Sequence, residues 1–229
     1  MENKFYIAKN IEKIYKNVKK INDKARIVAV TKNVDSKKIV EAVRGGITEV
    51  GENRIQEAIP KIEGVLPRIK DVKLHFIGHL QTNKVKRAVQ YFQMIQSVDS
   101  MKLAEKISKA CVSSGKVMDI LLEIKVSEEE AKHGINPEEA RQLAERAAEL
   151  NGIQVKGLMA IAPYFKDPEN SRPFFRKARE LFDSIKKEPP AGVSMEVLSM
   201  GMTNDYTAAL EEGSNMVRIG RGIFGERVY

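Results

Sequence analysis

Ile27-Val28-Ala29-Val30-Thr31-Lys32 is a run of small and β-branched residues, bounded by charged segments and ending on a lysine. A short run of this kind reads as a fully buried strand of a parallel sheet. Lys32 then sits where that strand surfaces. An ammonium at the mouth of an apolar strand is partly desolvated, which favours the neutral amine and makes it a better nucleophile toward aldehydes. That is the chemistry of a Schiff base. Most lysines at strand ends are instead solvated and only cap the sheet edge, so the rest of the chain has to decide between the two.

Upstream, the lysines between Lys9 and Lys24 interleave with Ile11, Ile14, Val18 and Ile21 at helical spacing, an amphipathic helix with a solvated basic face. Downstream, Asp35-Ser36 opens a helix through Arg44 that Gly45-Gly46 stops. The alternation then repeats. Further strands read at 49–51, 74–77, 94–98, 118–126, 155–161, 196–198 and 216–219, with helical patterns between them. Pro60 is expected to kink or end its helix. Thr82 or Asn83 is expected to cap the next, Asp99-Ser100 another, and Asn136-Pro137-Glu138-Glu139 is a strong helix start. Eight strands alternating with helices after one leading helix, with no break in composition, predict a single domain over 1–229. The alternation argues for parallel strands with right-handed crossovers, and the eight-fold count favours a closed (β/α)₈ barrel over an open doubly wound sheet.

Composition is that of an ordinary soluble globular protein: 229 residues, 42% hydrophobic, 31% charged. No apolar stretch reaches the length of a membrane span, and Met1-Glu2-Asn3-Lys4 lacks the apolar core of a secretion signal. The lone cysteine, Cys111, cannot form an internal disulfide, and a reducing cytoplasm is the expectation. It shares an apolar stripe with Leu103, Ala104 and Ile107 and reads as a small core hydrophobe. Thirty-nine basic against thirty-one acidic residues welcome an anionic ligand. Without a glycine-rich or aromatic base-stacking motif beside the basic helix, they speak against nucleic acid.

In a barrel of this kind active sites lie at the C-terminal ends of the strands. The unusual residues gather there: Lys32 after the first strand, Asn53 after the second, His79 after the third, Ser199-Met200-Gly201-Met202-Thr203 after the seventh and Gly220-Arg221-Gly222 after the eighth. The last two clusters supply hydroxyls and glycine-exposed N–H groups on adjacent loops, as a phosphate requires, although glycines after strands also simply permit tight turns. Arg218 stands inside a buried strand and needs a fixed acceptor, either an Asp or Glu of the barrel or an aromatic nitrogen. His75, His79 and His133 lie on different segments without metal-ligand spacing, so no metal site is expected.

Five motifs, in order, resemble the YggS/PROSC family of pyridoxal phosphate homeostasis proteins, whose barrel is similar to the N-terminal domain of alanine racemase. They are Ala29-Val30-Thr31-Lys32, Gly51-Glu52-Asn53-Arg54-Ile55-Gln56-Glu57, His75 to Lys84, Leu198 to Asp205, and Val217 to Gly225. The resemblance implies pyridoxal 5′-phosphate carried as a Schiff base on Lys32. It further implies a phosphate held by Thr203 and the backbone of Gly220 and Arg221, with Ser199, Met200 and Gly201 in the same pocket. Arg218 would face the pyridine nitrogen, with Asn53 and His79 flanking the ring. The family usually has serine where Thr203 stands and a small residue where Arg221 stands.

A permanent cation beside the pyridine nitrogen disfavours protonating it and weakens the ring as an electron sink. In alanine racemase a second base, a tyrosine, comes from a further C-terminal domain, whereas this chain reaches Tyr229 directly after the eighth βα unit. The expectation is therefore a monomeric carrier and regulator of vitamin B6 without turnover of its own, passing cofactor to pyridoxal phosphate-dependent apo-enzymes. The alternative is a pyridoxal phosphate-dependent amino-acid racemase.

Overall fold

The computed structural model describes residues 6–65, 71–127 and 133–226. After α1 (Tyr6–Ile21) come β1 (Arg26–Val30), α2 (Ser36–Arg44), β2 (Glu49–Glu52), α3 (Ile55–Val65), β3 (Lys73–Phe76), α4 (Val85–Tyr91), β4 (Met94–Val98) and α5 (Met101–Ser113). The second half runs β5 (Met118–Ile124), α6 (Pro137–Ala148), β6 (Ile153–Ala160), α7 (Arg172–Lys187), β7 (Val197–Met202), α8 (Tyr206–Glu211), β8 (Met216–Ile219) and α9 (Arg221–Phe224). All eight strands pair in parallel and in chain order, and β8 closes on β1 through Val28↔Arg218 and Ala29↔Ile219. The expected (β/α)₈ barrel is present. No described helix is long and apolar enough to cross a membrane.

Strand alternation divides the apolar residues into two cores. Ile27 and Ala29 of β1 point outward into the layer between barrel and helices, with Phe76, Ile95, Leu122, Phe175 and Leu198. Val28 points inward, where Met94, Leu121, Met159, Val197 and Met216 fill the barrel floor. Cys111 lies in the outer core, as expected. The leading helix buries Ile7, Ile11, Ile14 and Val18 and leaves its lysines in water. Its Tyr6 hydroxyl donates to the Phe224 carbonyl at 3.1 Å and its Asn10 amide to Ile223 O at 3.0 Å, so it closes over the β8 end of the barrel.

Four local readings change. Of the two outcomes expected at Pro60, the helix end is not realised; α3 runs through it to Val65. Pro60 and Gln56 are both exposed, so the carbonyl that the proline leaves without an intrahelical partner faces water. Neither Thr82 nor Asn83 caps α4, because Thr82–Lys84 forms a turn of 3₁₀ helix that leads directly into it. Ser199-Met200-Gly201 is strand, not loop, within β7. Gly220-Arg221-Gly222 is not a plain turn either, since α9 begins at Arg221.

The close approach of β6 to β7 depends on Gly157, at φ +145°, where a Cβ would overlap the Val197 carbonyl. Its neighbourhood carries the register shift between Ile120 and Leu121 that bends β5 against β6. Gly157→Ala should cost about 3 kcal/mol or more in urea unfolding, far beyond the effect of the same change at Gly64, where a Cβ meets only open space.

Candidate functional site

β1 ends at Val30, and Lys32 follows two residues later in a turn at the barrel mouth, where it lines two clefts. Its position is set by its neighbour. Thr31 is fully buried; its N–H donates to Gly51 O at 3.0 Å and its hydroxyl to Glu52 Oε1 at 2.6 Å. Lys61 reaches in from α3, donating to the Thr31 carbonyl at 2.7 Å and to Glu52 Oε1 at 2.6 Å. Asn33, at φ +58°, then turns the chain away, with Val34 N–H returning to Thr31 O at 3.0 Å. The sequence reading passed over Glu52 and Lys61. A carboxylate inside a short buried strand was the available signal, since such a group needs a cation close by.

Lys32 lines two adjoining clefts. The first, about 630 Å³, brings it together with Asn53 and His79. The second, about 480 Å³, brings it together with Thr203, Arg218, Gly220 and Arg221. Both volumes are in the range of small-molecule sites. Gly78 lets the β2 and β3 rims meet, because a Cβ there would collide with the Asn53 carbonyl. Across the mouth, Gly222 N–H donates to Thr203 Oγ1 at 3.2 Å, tying the last two turns together and leaving the hydroxyl proton of Thr203 to be given elsewhere. Arg221 is half exposed, its Nη1 3.7 Å from Glu226 Oε1.

Three expected residues lie elsewhere. The Met200 side chain is fully buried in the outer core and points away from the clefts. Gly201, at φ +92°, packs against Tyr206 and Ala209 of α8 and shapes the turn. Ser199 is fully buried beneath the mouth, where it is a partner of Arg218. Strand alternation puts neighbouring residues on opposite faces, so one motif cannot deliver Ser199 and Met200 to the same place.

Among the described residues Arg218 has no carboxylate within ion-pair distance, and several acceptors share it. Nη1 donates to Ser199 Oγ at 2.7 Å and Ser199 O at 2.9 Å, and Nη2 to Ala160 O at 2.9 Å. Burial pushes its pKa down to about 10, with the charges of Glu123 and Asp205 opposing, so it remains a cation at neutral pH. From it a file of hydrogen bonds crosses the barrel. Ser199 Oγ donates to Gln96 Oε1 at 2.7 Å, and Gln96 Nε2 lies 3.0 Å from His75 Nδ1. The amide orientation that serves both neighbours makes Nδ1 the acceptor and leaves the ring proton on Nε2. Nε2 faces Glu49 Oε2 at 3.2 Å, near enough for charge to act though off the line of a full hydrogen bond. Arg26 grips Glu49 from outside, Nε to Oε1 at 2.7 Å. Burial alone would raise the Glu49 pKa; the close approach of the His75 ring and the hydrogen bonds of Arg26 outweigh it and bring it down to about 2. Gln96, His75 and Glu49 were not singled out as site residues, although polar residues at inward positions of buried strands mark such a file.

On the β3 to β5 side of the mouth, Glu123, His79 and His133 line a third cleft. Glu123 has its pKa raised to about 7, by burial first and then by the charge of Asp99, against the pull of Arg218. The His79 and His133 rings stack at 3.8 Å, and His79 Nδ1 lies 3.4 Å from Asp99 Oδ2. Spacing along the chain suggested no such meeting. Residues 128–132, between β5 and His133, lie outside the described residues.

The family model described as alanine racemase, N-terminal domain, matches residues 6–228. A pyridoxal phosphate homeostasis protein of Aquifex aeolicus is 42% identical over 90% of this chain and 88% of its own length. This chain belongs to the pyridoxal phosphate homeostasis protein family. PipY of Synechococcus elongatus PCC7942, solved with PLP bound, matches with a TM-score of 0.87 at 30% identity, covering 96% of this chain and all of that one. An alanine racemase of Clostridium difficile shares the fold, with a TM-score of 0.76 at 17% identity over 96% of this chain and 59% of its own.

Two outcomes follow for this family member. Folded Glu123 holds its proton more tightly than an ordinary carboxyl near 4.5, so its ionisation costs stability as pH rises from about 4.5 to about 7. Glu123→Gln removes that slope: in urea unfolding it should match the parent near pH 4 and exceed it by roughly 3 kcal/mol near pH 8. Gln96→Leu strips partners from both Ser199 and His75 and should cost about 3 kcal/mol in the same measurement.

Proposed function

We propose that this chain binds pyridoxal 5′-phosphate through Lys32 and serves pyridoxal phosphate homeostasis as a carrier, without turnover of its own. The observation that carries the reading is the position of Lys32 between the two clefts, with polar side chains on one side and the joined last turns on the other. The residues present fit the cofactor. Asn53 Oδ1 is buried without a hydrogen-bond partner at the ring side. At the other side Thr203, Gly220 and Arg221 line the second cleft together, and Thr203, which accepts from Gly222 N–H, still has its hydroxyl proton to donate.

When bound, pyridoxal 5′-phosphate supplies an aldehyde that condenses reversibly with an amine. Thr203 would donate a hydrogen bond from its hydroxyl to the phosphate, beside the backbone of Gly220 and Arg221. Asn53 and His79 would orient the ring from the opposite cleft. Arg218, a cation held by Ser199 and Ala160, would disfavour a proton on the pyridine nitrogen and so withhold the electron sink that transamination and decarboxylation need. Ser199 acts through Arg218. The Glu52–Lys61 pair holds Thr31, and with it the direction from which the Lys32 amine approaches.

Titrating the protein with pyridoxal 5′-phosphate should produce a visible absorbance band, and borohydride followed by peptide mapping should place a pyridoxyl group on Lys32. Lys32→Ala should lose both. The same band in Lys32→Ala would overturn the assignment. Prolonged incubation of the loaded protein with L-alanine and chiral analysis should show no D-alanine beyond a protein-free control; steady production would defeat the carrier reading.

A further inference from the structure

Three loops that follow β3, β4 and β5 bring His79, Asp99 and His133 to one spot on the rim. A ring nitrogen of each histidine and a carboxylate oxygen of Asp99 all lie within 4.8 Å of one another. Two of the three are held from behind. Ser100 Oγ donates to Asp99 Oδ1 at 3.2 Å, leaving Oδ2 toward His79. The His133 segment is fastened to β5, with Ile135 N–H donating to Glu123 O and Lys125 N–H to Ile135 O, both at 2.8 Å. The cleft these histidines line is about 260 Å³ and also includes Asn53, Ser127 and Glu123 in its walls. The Glu123 carboxylate feels the Asp99 charge. The spot thus combines two imidazoles and two acids.

We propose that His79, Asp99 and His133 form a binding site for a divalent transition metal ion of the zinc class, on the rim beside the Lys32 clefts. Two imidazole nitrogens and one carboxylate oxygen suit zinc, with a fourth position open to water or a small acid. Tetrahedral bonds of about 2.0–2.1 Å to nitrogen place ligands ~3.3 Å apart, so the set has to draw together. The exposed rings of His79 and His133 have room to do so. The bound ion would join three loops of the rim. The site does not depend on the pyridoxal phosphate reading, because the ligands are in place without it.

The chain has three histidines and one cysteine. Of these, His75 is enclosed in the barrel and Cys111 in the outer core, which makes the test clean. Untagged, cofactor-free protein should bind about one equivalent of zinc in calorimetric titration with zinc chloride. Asp99→Asn and His133→Ala should each weaken binding by about tenfold or more. Histidine ring ¹⁵N spectra of the unaltered protein should show zinc shifting His79 and His133 while leaving His75 in place, which does not rely on any variant folding. No saturable zinc binding, equal binding in both variants, or shifts confined to His75 would each overturn the proposal.

Discussion

A guanidinium enclosed in a parallel barrel cannot shed its proton, so the interior has to supply acceptors for it. In this chain the acceptors are the carbonyl of Ala160, the carbonyl of Ser199 and the Ser199 hydroxyl. The hydroxyl in turn donates to Gln96, Gln96 meets His75, and His75 faces Glu49, which Arg26 clamps at the far side of the barrel. Every member has one orientation compatible with its neighbours, so the file acts as a direction-fixed brace through an otherwise apolar floor. Buried polar groups are costly unless satisfied, and here the satisfaction of each depends on a different strand.

The brace has a consequence for the mouth above it. With the cation held from below, what remains at the rim is a set of short, separately anchored contributions. Lys32 follows a residue tied by Glu52 and Lys61; Thr203 and Gly222 lash the last two turns together. An amine set between two clefts suits reversible capture of an aldehyde that bears an anionic tail. Imidazoles and carboxylates gather on the β3 to β5 side, where Glu123 keeps a proton up to about pH 7 although the Arg218 charge pulls against it.

Closed barrels put distant segments side by side, and the same fact limits what any one motif reports. Ser199-Met200-Gly201 looks like one donor-rich loop, yet its three residues face the barrel interior, the outer core and a helix. His79 and His133, far apart in sequence, stack ring on ring. Pro60, a helix breaker by its chemistry, rides inside α3 because the carbonyl it orphans is in water.

The amino-acid order alone determined the eight βα units, the parallel barrel, the lysine at the end of the first strand and the glycine-bearing turns that face it. These are local properties: the period of a strand, the stripe of a helix, the punctuation of glycine and proline. Only the tertiary structure decided which polar side chains meet. Gln96 and Ser199, 103 residues apart, share a hydrogen bond, Arg218 is satisfied by carbonyls and a hydroxyl in place of a carboxylate, and His79, Asp99 and His133 come together on one rim. Such pairings depend on strand stagger and barrel closure, which bring groups together from many turns of chain away, and no repeat in the linear order encodes that distance.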